Sequence, residues 1–139
     1  MKKLQSILFA IMLTGFSVIL LSFTTFLQDK KKWVVPESAK KVTNPTKASE
    51  ENITIAKNLF AKHCRSCHGK NGEGDGTKAA ELKSFPGDFT TPKFQAQTDG
   101  EIFYKTTEGR DEMPEFKKKL PSDEDRWLIV HYLRTLKAN

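Results

Sequence analysis

Cysteine is scarce: the 139 residues hold two, Cys64 and Cys67. Both fall inside one short motif, so no disulfide framework is left to hold a fold. A zinc site usually takes four ligands from two separated pairs, and the chain has no second cysteine pair. Methionine is limited to Met1, Met12 and Met113. Strand signals are missing and no segment reads as βαβ, which removes the usual setting of a thioredoxin-like dithiol. No internal repeat is present. Basic residues form no stripe interleaved with aromatics, so nucleic acid is not an expected partner. The net charge of +6 belongs to the flanks, since from Asn52 onward 15 Lys and Arg face 13 Asp and Glu.

Charge is also absent from Leu4 to Leu27, although Lys2 and Lys3 precede that run. As a helix it is ~36 Å long, enough to span a bilayer. A secretory signal has a shorter apolar region and a small-residue cleavage site. Ala10 is the only alanine before Ala39, and no A-x-A pattern occurs. Residues 1–27 therefore read as a signal-anchor or transmembrane segment, with a cleaved signal as the alternative. Residues 28–48 read as a flexible linker. They open on Asp29-Lys30-Lys31-Lys32 and are punctuated by Pro36 and Pro45. As a coil such a tether reaches ~27 Å. Trp33 stands where an interfacial anchor is expected, or it packs on the domain. Residues 49–139 form that domain.

The domain is organised around Cys64-Arg65-Ser66-Cys67-His68. C-x-x-C-H is the pattern of c-type haem attachment. One turn of helix puts both sulfurs on the same side, each thiol adds to a haem vinyl group, and His68 follows to bind the iron. Zinc and a redox dithiol remain the alternative readings. A disulfide between the two cysteines would close too short a loop to stabilise much.

Helical periodicity surrounds the motif. Ser49 caps a helix running to about Arg65, with Glu50 and Glu51 in its first turn. The glycine-rich stretch Lys70 to Gly76 follows a helix rather than a strand, so phosphate-cradle logic fails and a turn leaving the haem is expected. Lys78 to Lys83 reads as a short helix, Phe85 to Phe89 breaks it, and Pro92 delays resumption. Asp99 to Thr107 is helical and Gly109 ends it. Ser122 caps a final helix containing Trp127, Leu128, Val130, His131, Leu133 and Leu136. The fold class is all-α: three to five short helices around one haem. Phe85, Phe89, Phe94, Phe103, Phe116 and Trp127 are available as its wall.

Cys64-x-x-Cys67-His68-Gly69, then Gly109-x-x-x-Met113-Pro114, then a terminal helix carrying Tyr132-Leu133-Arg134 together resemble class I cytochromes c. The resemblance covers about Ser49 to Leu136. It implies that the first and last helices cross, with Phe60 packed near Tyr132. It implies that a proline carbonyl, from Pro86 or else Pro92, holds the ligand imidazole. It also implies export, against the lysine count of Lys30-Lys31-Lys32 over Lys2-Lys3, which alone would put the domain in the cytoplasm. Met113 then becomes the distal ligand, because the other two methionines lie in the leader. His63 and His131 read as packed or surface residues.

The expected function is one-electron transfer through a single covalent haem c with His68 and Met113 on the iron. Redox proteins in or at the membrane are the expected partners. The expected place is the periplasmic face of a bacterial inner membrane, or the periplasm if the leader is cleaved. A fixed haem subunit of a respiratory or reductase complex is the second reading, and a small haem enzyme the third. Two filled axial positions leave no open site for substrate, and the sequence offers no acid–base machinery.

Overall fold

The computed structural model describes residues 33–138. The chain divides into two compact units, residues 1–34 and 35–139. The expected signal-anchor, residues 1–27, lies outside the described residues. No helix among the described residues is long and apolar enough to cross a membrane.

The second unit is helical, with no strand among the described residues. In chain order its helices are α1 (Glu37–Lys40), α2 (Glu50–His63), α3 (Arg65–His68), a 3-10 turn (Ala79–Glu81), α4 (Pro92–Gln95), α5 (Asp99–Glu108), α6 (Phe116–Lys119) and α7 (Asp123–Thr135). Capping explains where the long ones start. Ser49 Oγ accepts from Asn52 N, and Ser122 Oγ accepts from Asp125 N. Thr98 and Glu101 form a reciprocal capping box at α5, satisfying donors the first turn leaves unpaired. Pro92 does not delay helix formation. It opens α4 behind a Thr91 cap, because a first helical position needs no N–H.

The first and last long helices pack together. Phe60 of α2 meets Tyr132 of α7, with ring centroids 5.1 Å apart. Around them sit Ala56, Ile102, Leu128, Ile129, Val130 and Leu133, all buried. Arg134 ties α7 to the α4–α5 junction. Its guanidinium donates to Asp99 Oδ1 and to the carbonyls of Gln95 and Gln97, at 2.6 to 2.8 Å. That planar fork is a geometry lysine cannot reproduce. Arg126 is almost fully buried and is balanced by Asp123, the Leu120 carbonyl and Thr107 Oγ1.

Residues 35–48 were expected to be part of a flexible linker, and the structure corrects that expectation. Val35 is buried. Asn44 Nδ2 donates to the Trp127 carbonyl at 3.0 Å, while its Oδ1 accepts from Thr46 N and Oγ1. His131 Nε2 lies 3.0 Å from the Thr46 carbonyl. The segment is thus a strap across α7, and it explains why that helix buries seven consecutive or nearly consecutive residues, Arg126 to Leu133. On the α5 side the strap comes so close that a Cβ at Gly100 would strike the Ala39 carbonyl. Backbone cannot yield as a flexible side chain does. Gly100→Ala should therefore lower stability by about 1–3 kcal/mol, read as a fall of several degrees in thermal unfolding by circular dichroism. An unchanged midpoint would mean the strap is not held there.

Candidate functional site: the haem attachment turn and the Met113 loop

The attachment motif lies where α2 stops. Cys64 caps α2 at φ −118° and ψ −35°, and α3 supplies one further turn. Cys67 N and His68 N both donate to the Cys64 carbonyl, at 3.2 and 3.0 Å. The structure thus brings Cys64, Cys67 and His68 together in a single closed turn. Both thiols are free. Burial, with Cys67 adding a smaller effect, pushes the Cys64 thiol up to about 12, so it stays protonated at neutral pH.

The glycine-rich stretch folds back on this turn. Gly74 N donates to the His68 carbonyl, Gly76 N to that of Cys67 and Lys78 N to that of Ser66. These three amides are consumed within the protein, which agrees with a structural turn.

His68 is buried. Burial lowers its pKa to about 4, which keeps the imidazole neutral and its lone pair available near pH 7. Phe89 stacks on it at 4.5 Å and in turn touches Phe94 and Phe60. Among the described residues, His68 Nδ1 has no hydrogen-bond partner. The Pro86 carbonyl therefore does not hold it in this structure, and neither does that of Pro92. The ring is braced through its face by Phe89 instead. The segment after Pro86 lies over the glycine loop, with Phe89 N bonded to the Gly72 carbonyl at 2.7 Å.

The second part of the candidate site is the loop carrying Met113. Helix α5 ends at Gly109, whose φ of 63° suits glycine, and a Cβ there would lie 2.5 Å from the Met113 carbonyl oxygen. Arg110 and Met113 then exchange both backbone hydrogen bonds, each 2.9 Å. The result is a two-residue turn, Asp111-Glu112, with Asp111 at φ 52°. Met113 is half-buried and packs against the same core cluster as Cys64. Lys117 and Lys118 beside it pair with Glu108 and Glu115, which makes this a mixed, solvated surface. His63 lies edge-on to Phe116 and His131 is bound to the strap, consistent with packed histidines.

The residues present fit a covalent haem. The donor set is two free thiols and a buried, neutral imidazole in one turn, the two links and one ligand that such a group needs. Sequence reasoning placed Phe89 only in the wall. Its stacking on His68 had no signal beyond an aromatic after Pro86-Gly87-Asp88.

A family model described as cytochrome C oxidase, cbb3-type, subunit III matches residues 51–133. Among solved structures, a chain of the Kuenenia stuttgartiensis reducing HAO-like protein complex is similar, with a TM-score of 0.62 and 30% identity. That match covers 78% of this chain and 53% of the other, so the chain spans about half the length of that relative. Comparison with curated proteins gives no match.

Proposed function

We propose that this chain, which belongs to the family described as cytochrome C oxidase, cbb3-type, subunit III, carries single electrons between redox proteins. It is a class I c-type cytochrome and binds haem c covalently. When bound, the haem supplies one-electron chemistry by alternating between ferric and ferrous iron. Cys64 and Cys67 are the proposed attachment points, His68 the proposed proximal ligand and Met113 the proposed distal one. Phe89 fixes the plane of His68, and the core cluster keeps water from the buried side of the site. The observation that carries this reading is the buried, neutral His68 held in one turn with two free thiols.

The proposed place of action is the periplasmic face of a bacterial inner membrane, with residues 1–27 as the anchor. The uncharged run from Leu4 to Leu27 supports it. A second reading, a fixed haem subunit of a larger oxidoreductase complex, is favoured by the likeness to a chain from a protein complex.

Fractionation followed by gentle detergent extraction tests these points together. The haem-bearing polypeptide should sit in the membrane fraction, and after reduction its spectrum should not respond to carbon monoxide. Migration alone supports the mobile carrier, and stoichiometric comigration with other chains supports the fixed subunit. A carbon monoxide adduct of the untreated protein would instead favour a haem enzyme.

A further inference from the structure

The turn that presents Met113 is closed by its own backbone, but that closure does not fix where the turn sits. Besides the packing of Met113 on the core, one long-range bond joins the turn to the segment that follows the attachment motif. Glu112 Oε2 accepts from the backbone N–H of Lys83 at 2.8 Å, across 29 positions of sequence. Lys83 follows the 3-10 turn, and that turn is itself tied to the attachment motif through Lys78 N and the Ser66 carbonyl. Further along the same segment, Phe89 is bonded to Gly72 and stacked on His68.

We propose that Glu112 is a positioning residue, a latch that holds the Met113 loop against the segment carrying the proximal side of the site. The proposal rests on the reading of Met113 as distal ligand. Asp111 in the left-handed region makes the turn a strained one, and such conformations persist only where their surroundings hold them. A carboxylate accepting from a backbone amide is a charge-assisted bond. Glu112 is exposed, so releasing the latch frees the loop without leaving a buried charge. Its loss should raise the fraction of time in which the thioether is off the iron.

Added imidazole reads that fraction, because it competes with Met113 for the ferric iron. Glu112→Ala should bind imidazole roughly three- to tenfold more tightly, the range expected for one net hydrogen bond. Glu112→Gln keeps a carbonyl acceptor and should stay near the native affinity. Lys83→Pro removes the donor from the other side. Leu82 already has the extended backbone that a residue before proline prefers, at φ −81° and ψ 143°. Combined with Glu112→Ala it should add nothing, since both remove the same bond. Hydrogen exchange at the Lys83 amide should quicken in Glu112→Ala, a readout independent of the iron.

Native imidazole affinity in both Glu112→Ala and Lys83→Pro would overturn the latch, and so would a Glu112→Gln variant as loose as Glu112→Ala. Met113→Ala, measured alongside, separates the failures. If it alone changes imidazole binding, only the latch falls. If it too changes nothing, the reading of Met113 as ligand falls and takes the latch with it.

Discussion

A chain with Cys64→Ala and Cys67→Ala together should emerge from denaturing electrophoresis with no haem, whereas the native chain retains all of it. The two sulfurs stand one helical turn apart on a turn closed by the Cys64 carbonyl. Each offers one covalent link, so either single variant should keep haem on the polypeptide through the remaining sulfur, in lower yield. The double variant should also lose thermal stability. A domain of this size buries a modest core, and the haem is part of what that core is built to enclose. Haem staining of the gel is the direct measurement. Complete release of haem from the native chain on denaturation would remove the cytochrome c reading altogether, and haem retained by the double variant would place the links elsewhere.

What could be read from the sequence, and what could not, divides on physical lines. C-x-x-C-H is legible because haem attachment and ligation need two thiols and an imidazole at fixed spacing, all within five residues of chain. The long helices are legible because their caps are local: Ser49 and Ser122 each bond three residues ahead. The crossing of α2 and α7 followed from resemblance, and the Phe60–Tyr132 contact agrees with it. Long-range contacts carried no such signature. The strap at residues 35–48 has the proline and charge content of a linker, yet Asn44 finds a carbonyl 83 positions away. A buried arginine such as Arg126 looks like any surface charge until Leu120, Asp123 and Thr107 surround it. Pro92 was ambiguous on its face, since proline both stops helices and starts them. The Pro86 carbonyl was expected to hold His68, and here the imidazole rests on Phe89 with its Nδ1 unpartnered among the described residues.

Met113→Ala should lower the reduction potential by on the order of 0.1 V or more, within the ~0.8 V range that axial ligands command. A thioether stabilises ferrous iron relative to ferric more than water or nitrogen does, so removing it favours the oxidised state. The same change should open a coordination position, and the reduced variant should bind carbon monoxide while the native protein does not. Covalent haem should be retained, because Cys64 and Cys67 lie in α2–α3 and not in the Met113 loop. The loop should survive the substitution. Its turn is closed by backbone bonds between Arg110 and Met113, which any side chain at 113 permits, and Pro114 keeps the preceding residue extended. Met113→His should also lower the potential but should refuse carbon monoxide, since imidazole fills the position. Oxidised native protein should show the weak sulfur-to-iron charge-transfer band, and both variants should lack it. If the band is missing from native protein and Met113→Ala leaves spectrum and potential unchanged, Met113 is not the distal ligand. Among the histidines, neither remaining one is placed to take over freely. His131 Nε2 is committed to the Thr46 carbonyl, and His63 lies edge-on to Phe116. An unchanged variant would therefore point to an open iron in the native protein, and the haem-enzyme reading would replace the electron carrier.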